Sequence, residues 1–214
     1  FDLENSEKHQ VTGDYFSNSS YTLKASSNTK GEVLITDGKI QPIFFHAKCG
    51  GRTLRPEQVW GSGVAGYVRV ACPYCHEHGE KVWKSDVSPI KVASFVKAQL
   101  AKTGIYDWHT DNIFSTQFKM MDDVGNKDFV VFYWRGRPVR VDRTQFRKFF
   151  GRDFFKSNKF LLKFEYGRFK VTGEGLGHGV GLCQLGALDM AKRGWNYKQI
   201  LSHYFPNFSL IRVY

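Results

Sequence analysis

Several things are missing from this 214-residue chain, and each absence removes a class of answer. No apolar run approaches the ~18–20 residues that a membrane-spanning helix needs. There is no internal repeat and no low-complexity linker. The glycine-rich stretch carries no Gly-Lys-Ser/Thr, so a phosphate-binding P-loop is excluded. Acidic residues are scarce: 20 Asp and Glu face 31 Lys and Arg, for a net charge of +11. Cysteine is limited to four residues, at 49, 72, 75 and 183. The chain begins with Phe1 and shows no apolar segment with a cleavage site. The expectation is a removed targeting segment or a piece of a longer protein.

What is present reads as globular. Hydrophobic residues make up 42%, and the length suits one large domain or two small ones. The positive charge favours an anionic partner: nucleic acid, acidic lipid or an acidic wall polymer. It is dispersed rather than gathered in one tract, so a solvated basic surface is an equal reading. Aromatic residues reach 16%, with 19 Phe. A groove of rings and bases would suit sugar or single-stranded nucleic acid.

Hydrophobic periodicity and turn signals predict an α+β fold, a single domain of antiparallel hairpins with a few packed helices. Residues 17–29, rich in Ser and Asn, read as a loop with a short strand. Residues 33–35 and 43–45 read as a hairpin around Asp37-Gly38, with His46 at its end. A helix is predicted from Ser88-Pro89 to Gly104, with Ile90, Val92, Ala93, Phe95, Val96 and Leu100 as its apolar stripe. Two strands flank Arg135-Gly136-Arg137, and a short helix closes at Gly151. Another hairpin turns at Tyr166-Gly167. Two helices then end the chain, one over about residues 182–193, the other capped by Asn196 and stopped by Pro206.

The densest signal is "TGEGLGHGVGLCQLGA", with six glycines from Gly173 to Gly186 and one histidine, His178. It matches a dinucleotide fingerprint only superficially, because no βαβ unit and no acidic residue in place accompany it. Alternate glycines remove Cβ from one side of the backbone or permit positive φ. Either lets a bulky partner lie close, and a tight loop packed on a neighbouring strand is the plain structural alternative. His46, before Cys49-Gly50-Gly51, is the second candidate, active only if it meets His178 in space. A Cys49/His178 or Cys183/His46 nucleophile pair is conceivable, but no residue plainly orients the base. Cys72-Pro-Tyr-Cys75-His76-Glu77-His78 formally matches haem attachment, with no axial-ligand context. It reads equally as a disulfide or as zinc bound by Cys72, Cys75 and His76 or His78, with a fourth ligand such as Cys49.

"FFHAKCGGRT", "VWG", "VACPYC", "FRKFFG" and "GEGLGHGVGLCQLGALDMAKRGWNYKQILSHYFP" together resemble the SpoIID/LytB family, over the whole chain. The resemblance implies action on bacterial peptidoglycan, outside the cytoplasm. Sporulation members cleave the MurNAc–GlcNAc bond of peptide-stripped glycan strands as lytic transglycosylases. One carboxylic acid protonates the leaving oxygen and then serves as base while the sugar's 6-hydroxyl attacks. It implies a sugar groove lined by His46, Gly50, Gly51, Gly177, His178, Gly179, Gly181 and Gln184. The implied partners are glycan strands and other cell-wall enzymes, with any membrane anchor outside this chain and no nucleic acid. The chemistry itself needs no cofactor, and a structural zinc through Cys49, Cys72, Cys75 and His78 is the candidate metal. The family's Glu-Met-Pro motif, which holds its catalytic acid, does not occur here. The expectation is a C-terminal part of a longer protein, with Glu57 in "RPEQVWG" as the substitute acid, or a non-enzymatic glycan-binding module or amidase enhancer. Of the His and Cys ligands that some members carry in the segment matching residues 1–15, only His9 is present. Leu176 and Leu185 stand where Trp is common in the family.

Overall fold

The computed structural model describes residues 20–79, 81–102, 104, 129–134 and 137–214. The expected turn at Arg135-Gly136 and the segment 1–15 with His9 lie outside them. The architecture is α+β, with six helices and mainly antiparallel strand pairs among the described residues. Two hydrophobic cores organise it, one built from the middle of the chain and one from its two ends.

The middle core starts from strand β4 (Trp83–Val87). It pairs with the hairpin of β7 (Lys159–Glu165) and β8 (Arg168–Glu174) in the order β4-β8-β7. The hairpin turns at Tyr166 and Gly167, with φ of 51° and 72°, so both central residues are left-handed as a type I′ turn requires. Helix α3 (Pro89–Ala101) buries Val92, Ala93, Phe95, Val96 and Leu100. Ile90, expected in that stripe, is 71% exposed because it sits in the first turn, on the outer face. The two-stranded β5 (Phe129–Trp134) and β6 (Arg137–Asp142) lead into α4 (Arg143–Phe150). The Asp142 carboxylate caps α4 by accepting from the Thr144 and Gln145 amides. Phe146, fully buried, packs on Phe95, Phe132, Phe150, Phe155 and Phe160 with ring centroids 4.5–5.9 Å apart.

The second core joins residues far apart in sequence. Helix α1 (Ser20–Asn28) precedes it and buries nothing, which is why no apolar period marked it and a loop was expected. Strand β1 (Glu32–Thr36) turns at Asp37-Gly38 into β2 (Lys39–Ile40). The predicted return at residues 43–45 does not form, since Pro42 has no N–H to extend the ladder. Instead β3 (Phe45–His46) pairs in parallel with β9 (Leu182–Cys183). The free edge of β1 takes β10 (Ser209–Arg212), a strand the sequence did not announce after the final helix. Helix α2 (Pro56–Trp60) and a 3-10 turn over Pro73–Glu77 were likewise unforeseen, being too short for a period to show. Helices α5 (Gln184–Lys192) and α6 (Tyr197–Tyr204) close the core, the latter with an Asn196/Gln199 capping box. Among the described residues, no helix is long and apolar enough to cross a membrane.

Candidate functional site

Strand β8 leaves the middle core at Glu174, and the glycine stretch carries the chain across to the second. Gly175, Gly177, Gly179 and Gly181 all have positive φ. The loop zips onto the segment after β2 through alternating backbone bonds. Leu176 and Lys48 exchange two, of 2.8 and 3.0 Å, Leu54 donates to Gly179 at 2.7 Å, and Leu182 donates to Phe44 at 3.0 Å. A Cβ on Gly177 would stand 3.1 Å from the His46 Cβ, and one on Gly181 would overlap the Phe44 carbonyl. The side of the backbone that the glycines leave bare is therefore filled by residues 44–54. The close approach expected of a glycan is made here by the chain's own strand. Gly50 and Gly51 serve the same packing, with φ of 65° and 93°, against Glu174 and the His76 ring.

The zipper brings His46 and His178 together, with ring centroids 5.6 Å apart. His46 is 4% exposed, and its Nδ1–H donates to the Val180 carbonyl at 3.0 Å. That fixes the tautomer: Nε2 is a bare acceptor, buried and without a partner among the described residues. Burial lowers its pKa to about 3, against a smaller upward pull from the Val180 bond. His178 is partly buried, and its Nδ1 accepts the Val180 amide at 3.0 Å. Burial lowers its pKa to about 4; a hydrogen bond to Phe45 pulls the other way, and Arg147 and Arg152 add to the depression. Both imidazoles are thus neutral at pH 7.

Rings flank the pair. Trp60, at the end of α2 and 44% exposed, lies 5.2 Å from His178 and 4.7 Å from Phe44, centroid to centroid. Phe45 is also exposed, and Gln184 opens α5 at the surface. Glu57 sits one turn before Trp60, but its carboxylate is engaged by Arg55 at 3.1 Å. A cavity of about 360 Å³ nearby is lined by Leu54, Arg69, Arg143, Lys159 and Glu174; neither histidine borders it.

Behind the histidines lies the cysteine cluster. Cys49, Cys72, Cys75 and Cys183 converge, with every Sγ within 4.8 Å of the other three. All are free thiols and 0–1% exposed, so none is placed as an accessible nucleophile. Of the four residues expected as zinc ligands, the structure gathers three, Cys49, Cys72 and Cys75. His78 is not in the cluster: its Nε2 faces Asp189 at 3.9 Å, and Cys183 supplies the fourth group. His76 is exposed. The parallel pairing of β3 with β9, which aligns His46 with Cys183, is what delivers that thiol. Sequence reasoning left Trp60 without a role and weighed Cys183 only as a nucleophile beside His46, although "VWG" and the cysteine count held both in view.

No family model matches the chain. Similarity to individual proteins is nonetheless extensive. Over 217 residues, 99% of this chain and 54% of the relative, it is 28% identical to an uncharacterized protein of Brachyspira hyodysenteriae. It is 25% identical to the amidase enhancer of Bacillus subtilis, over 94% of this chain and 34% of that protein. It is also 25% identical to stage II sporulation protein D of Bacillus amyloliquefaciens, over 92% of this chain and 53% of that protein. The chain thus spans about a third to a half of these relatives' lengths. On these similarities the chain is SpoIID/LytB-like, resembling stage II sporulation protein D and the amidase enhancer over nearly its whole length.

Proposed function

We propose that this chain is the glycan-binding part of a cell-wall protein that cleaves the MurNAc–GlcNAc bond of peptide-stripped peptidoglycan strands, acting outside the cytoplasm. The observation that carries the reading is the neutral His46–His178 pair beside exposed rings. A sugar offers hydroxyl donors and apolar C–H faces. The bare Nε2 of His46 is a buried acceptor in want of a donor, which a bridging water would link to a sugar hydroxyl. Trp60 and Phe45 offer faces for pyranose rings, and Gln184 can both donate and accept. Arg147 and Arg152 put positive potential beside His178, where the lactyl carboxylate of a muramic residue would be drawn.

The histidines bind rather than drive the reaction. With pKa values of about 3 and 4, neither holds a proton to give a leaving oxygen at neutral pH. A lytic transglycosylase needs a carboxylic acid for that step, then the same group as base for the 6-hydroxyl. The Glu-Met-Pro motif that holds the acid in the resembled family does not occur in residues 1–214, and Glu57 pairs with Arg55, so this reading assigns the acid to another part of the whole protein. The same fact favours a second reading, a glycan-binding enhancer of an amidase with no glycosidase step of its own.

Co-sedimentation with purified denuded glycan strands tests the binding claim. The chain should pellet with the strands, and His178→Ala should reduce retention about tenfold, equal to ~1.4 kcal/mol. Equal retention of both proteins, or none of either, removes the glycan reading. The full-length protein should release anhydro-disaccharide from the same strands; binding without release selects the enhancer reading.

A further inference from the structure

We infer that Cys49, Cys72, Cys75 and Cys183 form a tetrathiolate zinc site that clamps the histidine-bearing strand and loop to the end of the fold. The first argument is geometric. Four thiolates around zinc at ~2.3 Å lie ~3.8 Å apart at the corners of a tetrahedron. The four sulfurs here all fall within 4.8 Å of one another, with Cys49 and Cys75 at 3.4 Å. A disulfide joins two sulfurs and gives no reason for the other pair to converge on the same point.

The second argument is the space around them. Gly186 lies inside α5 with ordinary helical φ, so its lack of a side chain has no backbone cause. A Cβ there would stand 2.6 Å from the Cys72 Sγ and 3.4 Å from the Cys183 Sγ, and would overlap the Tyr204 hydroxyl. The helix keeps a glycine where the sulfurs must gather.

The third argument is the surrounding polarity. Zinc with four thiolates carries a net charge of −2, and in a buried place that charge needs donors. They are present. The Cys49 amide points at the Cys183 Sγ at 3.3 Å, and the Gly186 amide reaches the same sulfur at 3.4 Å. The Tyr204 hydroxyl, 2% exposed, lies 3.0 Å from the Cys72 Sγ. Cys183 caps α5, where the helix dipole favours an anion. Lys159 and Lys48 anchor to the carbonyls of the same loops, Lys159 to Gly50 and Arg52 and Lys48 to His78. Zinc binding forms four Zn–S bonds and releases the thiol protons to solvent, with no oxidant required.

The ligands tie three segments: the end of β3, the Pro73–Glu77 turn and the start of α5. His46 precedes the first ligand by three residues, and His178 precedes the last by five. The clamp therefore holds the zipper that pairs them.

The test is the metal content of the 214-residue chain, purified without added metal or chelator. We expect one zinc per chain, four thiols that react only after denaturation, and, after exchange, the intense visible bands of tetrahedral thiolate cobalt. Cys183→Ser should lose the metal or the cobalt bands; His78→Ala should keep both. Should Cys183→Ser fail to fold, wild-type metal content and His78→Ala still decide. Stoichiometric disulfides, iron in place of zinc, substoichiometric metal, or loss of zinc in His78→Ala with retention in Cys183→Ser would each overturn the site.

Discussion

The two cores of this molecule hold themselves together in different ways. The middle one is apolar and aromatic: Phe95, Phe132, Phe146, Phe155, Phe160 and Phe169 fill it, and the residues that form it lie between Trp83 and Val171. The other draws on residues from Leu34 to Phe205 and places four thiols among aliphatic residues and the rings of Tyr67, Tyr204 and Phe205. Its segments are short, with β2, β3 and β9 of two residues each. Such pieces bury little by themselves, and the histidine site rests on them. The difference teaches where rigidity comes from. Ring packing holds the part without a candidate site; in the part that has one, rings are joined by backbone zippering and the convergence of four cysteines.

The comparison breaks most sharply at the cysteines. Removing zinc with a chelator, or combining Cys72→Ser with Cys183→Ser, should unfold the histidine-bearing half, since structural zinc sites contribute ~10–16 kcal/mol in zinc-finger peptides. Circular dichroism and tryptophan emission, through Trp60 and Trp195, would report it. Phe146→Ala should destabilise the other half by about 3–5 kcal/mol while leaving the thiols protected from reagent, read by urea unfolding and thiol titration. Gly181→Ala should cost at least about 1–3 kcal/mol from positive φ, and more from overlap with Phe44, and should also separate the histidines. His178→Ala, on a partly buried ring, should change stability by about 1 kcal/mol or less while reducing glycan retention.

The comparison is sharpened last by pH. His178 titrates near 6.5 when unfolded and at about 4 when folded. Above pH 6.5 both states are neutral and nothing is lost. As pH falls from 6.5 towards 4 the unfolded chain takes up the proton first, so stability drops by at most ~1.4 kcal/mol per pH unit for this group. Urea midpoints over that window should fall less steeply in His178→Ala than in the unmodified chain.

Much of this was legible in the sequence, for physical reasons. The Tyr166-Gly167 hairpin, α3 and the Asn196-capped α6 are local, and their caps and turns are written next to them. So was the pairing of His46 with His178 as candidates, carried by the glycine stretch and the resemblance. What escaped notice depends on partners distant in the chain. β10 finds its place only against β1, some 175 residues away, and Cys183 joins Cys49 only because β3 and β9 run parallel. The glycines announced a close neighbour but not which one. Positive φ and a missing Cβ look the same whether the visitor is a sugar or the protein's own strand.

Hydrogen exchange on the full 214-residue chain, with and without a zinc chelator, tests the division between the cores most directly. Amides of the zipper and cluster, such as Leu176, Leu54, Cys72 and Leu182, should lose protection by tenfold or more, while Val131 and Val171 keep theirs. Equal loss in both cores, or no change in either, would contradict the account.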